Sequence, residues 1–176
     1  MNPHPPPWHP LDLKLFHAMG AGEDACPNRL VWAMAWAQRG PWVLLVLAAV
    51  AVVPTAAPVG TLALALLQAG ALQWLGKRLA RRWPTPRPFG TGHSPNHLAH
   101  GGRAGFPSSH ALAMGAVVAF LAVCPGTLGL AWGLAGAATL LTAWGRVYSG
   151  AHFPLDVAVG LLLGGAWGAA AAGLLA

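Results

Sequence analysis

His152 and Asp156 stand four residues apart, with Pro154 between them. Proline favours the first position of a helix. A helix opening there would put the imidazole and the carboxylate on one side of its entrance. The carboxylate can then accept one ring N–H, fix the tautomer and leave the other nitrogen free to attack an electrophile. The simpler reading is that Asp156 caps the first turn, where negative charge is favoured. Asp156 is the only carboxylate side chain after Asp24, and it heads an apolar segment. An ionisable pair at the mouth of a membrane helix is costly, and such pairs mark functional sites.

Three other groups can serve that pair. Pro107-Ser108-Ser109-His110 begins an apolar run. Serine is the expected cap there, and the free amides of a helix start bind anions. His110 in that turn could protonate a leaving oxygen, or be incidental to the cap. Arg87 and Arg146 carry planar forks of donors that match phosphate oxygens. For Arg87 the alternative is an ordinary basic flank at a membrane surface. Arg146 stands alone between apolar segments, which weakens that alternative for it.

The composition says where this chemistry takes place. The chain has 176 residues, 56% hydrophobic and only 8% charged. A soluble domain carries about 25% charged residues, so the chain reads as an integral membrane protein. Its formal charge is +6, and six of its ten Lys and Arg (Lys77, Arg78, Arg81, Arg82, Arg87, Arg103) fall between 77 and 103. Such a patch suits an anionic partner; phosphate and lipid head groups fit an apolar chain, and nucleic acid does not. Cys26 and Cys124 have no metal or disulfide spacing and read as small apolar fillers. The Pro-rich start lacks the basic and apolar regions of a cleavable signal, so insertion is expected to depend on the membrane helices.

The expected fold is all-α, a polytopic membrane helix bundle with about five spans and an N-terminal interfacial helical region. Residues 1–28 form the Pro-rich N-terminus and interfacial helix, and 29–176 the membrane domain. Residues 1–10 are expected to be extended or disordered. Residues 11–19 form a helix that lies in the interface or packs on the bundle. A short helix covers 29–38, and Arg39-Gly40-Pro41-Trp42 marks a boundary. The spans fall at 42–57, 59–76, 108–124, 127–144 and 154–175. The Gly129/Gly133/Gly136 and Gly160/Gly164/Gly168 rows suit close helix packing. The long polar loop 83–107 and the short loop 145–153 are separated by two spans, so both emerge on one side of the membrane. Arg87, His110, Arg146, His152 and Asp156 can therefore meet.

Arg87-Pro88, then Pro107-Ser108-Ser109-His110, then Arg146-x5-His152-x3-Asp156 resembles the three-part signature of the type 2 phosphatidic acid phosphatase superfamily. The resemblance covers about residues 42–175. It implies a membrane enzyme that hydrolyses a lipid phosphate or diphosphate with no metal and no cofactor. By it, His152 is the nucleophile that becomes a phosphohistidine, Asp156 orients it and His110 is the acid. Arg87, Arg146, Ser108 and Ser109 hold the phosphate. Two departures stand out. The family places a lysine seven residues before the Arg-Pro arginine, where this chain has Ala80. Lys77 is carried over in its place, with Arg81 and Arg82 as alternatives. The family's third motif opens Ser-Arg, where this chain has Gly145-Arg146. Ser149 or Tyr148 could supply the missing hydroxyl.

A small protein of this kind resembles the bacterial undecaprenyl-diphosphate phosphatases, which implies a polyprenyl diphosphate as first substrate. It also implies an inner membrane, with the site facing the periplasm. Transfer of the phosphoryl group to another lipid, for example lipid A, is the alternative within the chemistry. A non-catalytic binder or carrier of anionic lipids is the alternative outside it. The latter would have no need of His152, Asp156 and His110. His93, His97 and His100 in the long loop could bind a metal or recognise a head group, or simply be solvated; the loop offers no acidic or cysteine ligand. Oligomeric state is not legible.

Overall fold

The computed structural model describes residues 9–19, 21–22, 25–82, 84–99, 101 and 104–174. Residues 1–8 of the Pro-rich start, His100 and Arg103 lie outside the described residues. Within them the chain is all-helical: α1 (His9–Ala18), α2 (Pro27–Val52), α3 (Pro58–Arg82), a short 3-10 turn (Pro88–Gly90), α4 (Ser109–Val123), α5 (Gly129–Tyr148) and α6 (Pro154–Gly173). A helix forms at each of the five expected spans. Among the described residues, α2, α3 and α6 are long and apolar enough to cross a membrane. At 1.5 Å per residue the 15 residues of α4 reach only about 22 Å.

Several boundaries differ from expectation: α2 ends at Val52 rather than 57, and α5 runs to Tyr148 rather than 144. His9 and Pro10, placed in the extended start, belong to α1. The break expected at Arg39–Trp42 does not occur, because α2 runs unbroken for 26 residues through Pro41. An internal proline removes one backbone hydrogen bond, and packing on either side of it holds the helix together. Ala33, Ala37, Gly40, Leu44 and Ala48 form one buried stripe that passes through the proline without a change of phase. The second expected span was to end at 76, but α3 continues through the basic run to Arg82. Cations in a last turn complement the helix dipole.

The centre of the bundle is α4. Ala111, Leu112, Met114, Ala116, Val117, Phe120 and Leu121 are all buried on it. It packs chiefly against α6 and α3, while α2 pairs with α5. The α4–α6 contact is a backbone contact. A Cβ added at Gly160 would lie 2.7 Å from the Ser108 carbonyl oxygen, and one at Gly164 or Gly168 would collide with the carbonyl of Leu112 or Ala116. That row packs as expected. The α5 row packs loosely: Gly133 has open space around it, Gly129 meets only Trp132 of its own helix, and a Cβ at Gly136 would meet Val118 of α4 at an ordinary 3.7 Å. On α5 the close approach is made by Gly145, against the Ala33 carbonyl of α2. Outside the core, Trp42, Leu67, Leu130 and Leu162 are exposed, as a lipid-facing surface requires.

Helix α1 packs on the bundle. Phe16 is fully buried and meets the Phe153 ring edge-on at 5.6 Å. Asp12, also buried, accepts the Leu155 amide of the first turn of α6 at 2.8 Å. Leu11 and Leu15 remain exposed. A side chain 143 positions away in sequence thus caps the helix that carries Asp156.

Two stability predictions follow from these contacts. Gly164→Ala should destabilise the protein by about 1–3 kcal/mol through overpacking, whereas Gly133→Ala should leave it unchanged or slightly more stable. Thermal melts in detergent separate the two. Asp12→Ala should cost about 1 kcal/mol through loss of the cap, and Asp12→Asn should recover most of it.

Candidate active site

The site forms where four helix ends meet two loops. The long loop leaves α3 and is pinned back on itself by Thr85. Its carbonyl accepts the Gly105 amide at 2.9 Å and its hydroxyl accepts the Phe106 amide at 2.9 Å. This clasp sets Arg87 and Gly105 side by side. A Cβ at Gly105 would lie 3.0 Å from Asp156 Oδ2 and 3.3 Å from Arg87 Cγ, so glycine leaves room for both side chains. On the other side the Ser108 amide donates to the Asp156 carbonyl at 2.9 Å and ties the start of α4 to the first turn of α6.

His152 lies immediately before α6 and is buried. Its Nδ1 faces Asp156 Oδ2 at 3.4 Å. Its Nε2 faces Arg87 Nη1 at 3.2 Å. A guanidinium can only donate, so Nε2 presents its lone pair there and the ring proton is assigned to Nδ1, toward the carboxylate. Asp156 Oδ2 also accepts the Phe153 amide at 3.0 Å. The two readings of Asp156 therefore hold together: it caps its helix and faces the histidine with the same oxygen.

Arg87 is held by two carbonyls, Ala151 at 2.7 Å through Nη1 and Ala104 at 3.4 Å through Nη2. Burial lowers its pKa from the ordinary arginine value, and the nearby Asp156 carboxylate partly offsets that. Arg146, in the last turn of α5, is buried and donates from Nη2 to the Ala37 carbonyl of α2 at 3.3 Å. Its Nε and Nη1 are buried without a hydrogen-bond partner.

Between these groups lies a cavity of about 320 Å³. Arg87, Arg146, His110, His152, Ser109 and Lys77 all line it, so the structure brings together most of the residues singled out in the sequence. Asp156 stands behind His152. Ser108 does not line the cavity; it is buried at the N-cap of α4, where its Oγ accepts the Ala111 amide at 3.5 Å. Ser109, one residue on, is the serine that does.

The structure bears on both departures from the family pattern. Ala80 lines the cavity, flanked there by Lys77 and Arg81 of the same helix, while Arg82 is not among the lining residues. Gly145 replaces the family serine because α2 leaves no room: a side chain there would run into the Ala33 carbonyl. Neither suggested substitute supplies the hydroxyl. Tyr148 Oη accepts the Cys26 amide at 3.0 Å, and Ser149 Oγ donates to the Arg146 carbonyl at 3.5 Å. Both residues are buried, outside the lining.

His93 and His97 are half-buried and do not line the cavity. His93 meets His17 of α1 edge-on at 5.9 Å. Among the described residues, no three His, Cys, Asp or Glu side chains gather as a metal site would require. Sequence reasoning missed Thr85, Gly105 and Asp12, as well as the carbonyls of Ala37, Ala104 and Ala151. Backbone acceptors leave no residue-type signal.

A second, apolar groove of about 170 Å³ runs between α2, α3 and α4, lined by Pro41, Leu44, Leu66, Ala69, Met114 and Val117 among others. His110 lines it as well as the cavity, so the two meet at that residue.

No curated protein matches the chain. Aquifex aeolicus LpxE is similar in structure, with a TM-score of 0.67 and 26% identity over 90% of this chain and 92% of that one. A transmembrane PAP2-type phosphatidylglycerolphosphate phosphatase from Bacillus subtilis has a TM-score of 0.70 and 21% identity over 97% of this chain and 87% of that one, and shares the fold. The model of the PAP2 superfamily matches residues 42–175. The chain belongs to the PAP2 superfamily, as a membrane-embedded lipid phosphatase.

Proposed function

We propose that the protein hydrolyses a lipid diphosphate to the monophosphate, with undecaprenyl diphosphate the first choice, through a phosphohistidine on Nε2 of His152. The observation that carries this reading is the pair of unpartnered donors on buried Arg146, in the wall of the cavity that His152 also lines. Buried charged donors are costly without an acceptor. A phosphoryl group would supply those acceptors, and would place phosphorus near the lone pair of Nε2.

In the first step the Nε2 lone pair forms the P–N bond and the bond from phosphorus to the leaving oxygen breaks. His110 gives that oxygen its proton. Asp156 stabilises the positive charge that develops on the His152 ring. In the second step water attacks the phosphorus and passes a proton to His110. The P–N bond breaks and its electron pair returns to Nε2. Arg87 and Arg146 hold the equatorial oxygens throughout, with Ser109 and the open start of α4 beside them. No metal enters the scheme. Ser108 acts through the cap rather than by direct contact.

Two features support a diphosphate on a long apolar chain. Lys77 and Arg81 add cations to the cavity beyond those nearest His152, and can hold a second phosphate. The apolar groove reaches His110 and can receive the first units of a hydrocarbon chain. The same reading sets the protein in a bacterial inner membrane with the cavity facing the periplasm, as the sequence resemblance implies.

Purified protein in detergent should release phosphate from undecaprenyl diphosphate in the presence of EDTA, and His152→Ala should abolish the release. His110→Ala should slow it by about 10²–10⁴-fold, the usual worth of a general acid. Substrate labelled in its terminal phosphate should leave an acid-labile, base-stable label on the protein, absent from His152→Ala. Release that needs a divalent metal, or that survives His152→Ala, would overturn the mechanism. Lys77→Ala with Arg81→Ala should weaken the diphosphate more than a monophosphate of the same chain.

A further inference from the structure

Arg146 reaches across to α2 for its one acceptor, the carbonyl of Ala37. In an α-helix that oxygen would accept the amide hydrogen of the residue four positions later. The residue four positions after Ala37 is Pro41, which has no N–H, and whose ring also crowds the carbonyl one turn back. The helix nevertheless continues through it. The carbonyl that Arg146 uses is therefore the one whose regular helical donor Pro41 removes.

Two further observations bear on the same spot. A Cβ at Gly145 would lie 3.1 Å from the Ala37 amide nitrogen, so the bare backbone of Gly145 lets α5 come within reach of that carbonyl. Ala37 is itself buried, so water does not compete for its oxygen. The remaining donors of Arg146, Nε and Nη1, are then those left without partners beside the cavity.

We infer that Pro41 is a positioning residue: it frees the Ala37 carbonyl to anchor Nη2 of Arg146, so that Nε and Nη1 are presented to the substrate phosphate. This rests on the phosphate role proposed above for Arg146. It assigns a function to an internal proline that belongs to none of the three motifs and lies in a helix that carries none of them.

The test compares Pro41→Ala, Pro41→Leu and Arg146→Ala with the unaltered full-length protein in detergent. Three quantities are read: kcat/KM on undecaprenyl diphosphate, the inhibition constant of orthovanadate, and Tm. Either Pro41 variant restores an amide hydrogen that competes for the Ala37 oxygen. Both should lower kcat/KM by about tenfold, the scale of one charged hydrogen bond, and raise the vanadate constant in parallel. Tm should hold or rise, since the helix regains a bond. Pro41 also lines the apolar groove, and vanadate, which has no chain, separates the two roles. A fall in kcat/KM with the vanadate constant unchanged would assign Pro41 to the groove and overturn the inference. Unchanged values in both, or a parallel loss accompanied by a lower Tm, would overturn it too. If Arg146→Ala retains full activity and vanadate affinity, the phosphate reading of that arginine fails first, and the role of Pro41 fails with it.

Discussion

Two guanidinium groups share one pocket with a single carboxylate behind it, and the rest of the structure follows from that imbalance. Arg87 and Arg146 line the cavity with His152, and Asp156 stands beyond the histidine. Asp156 is the only acidic side chain in the second half of the chain. An unpaired buried cation costs several kcal/mol. Here backbone carbonyls take part of the load: Ala104 and Ala151 for Arg87, Ala37 for Arg146. They are neutral, so they satisfy donors without cancelling charge. The site keeps its positive potential and its spare donors, which is what a multiply charged phosphate would need. A second carboxylate at the same distance would have made a stable ion pair and a poor anion site.

Carbonyls can serve in this way only if helices come very close, and the small residues on the facing helices permit it. Gly160, Gly164 and Gly168 bring α6 onto the carbonyls of α4, and Gly145 brings α5 onto α2. In lipid there is no hydrophobic drive to join helices, so small residues and backbone contacts do that work. The same close packing joins the Ser108 amide to the Asp156 carbonyl. The helix start that faces the cavity and the helix start that carries the carboxylate are therefore one rigid corner. Thr85 and Asp12 extend it, the first by closing the long loop and the second by capping α6 from α1.

What could be read from the sequence was what is local in it. The Arg146–His152–Asp156 spacing spans a single helix-loop-helix corner, and the residue types declare their chemistry without help from the fold. The count of spans between the loops placed both loops on one face, and the cavity forms there. The continuity of α2 was not legible, because Gly40-Pro41 is a break signal by composition, and only the buried stripe shared with α5 overrides it. Ser108 and Ser109 could not be told apart, since one residue of rotation decides which is the cap and which faces the cavity. Asp12 was out of reach because its partner lies in the last helix. The row Gly129/Gly133/Gly136 has a helical spacing much like that of Gly160/Gly164/Gly168, yet it approaches no neighbouring backbone. Spacing alone does not say which face of a helix meets a neighbour.

The missing lysine shows how one element absorbs a change of position. Lys77, Ala80 and Arg81 line the cavity from one face of α3. Three residues of helix amount to about 4.5 Å, so Lys77 starts deeper in the bundle than Ala80, and Arg81 starts one residue nearer the loop. Both side chains are long enough to cover that difference, because their aliphatic stems can lie along an apolar surface while the charge reaches out. The position the family gives to one lysine is thus approached here from both sides by two cations. On the function proposed above, two such charges in the lining suit an anion that extends beyond the phosphoryl group nearest His152. The substitution that looks like a loss in the motif becomes, in three dimensions, a wider cationic rim.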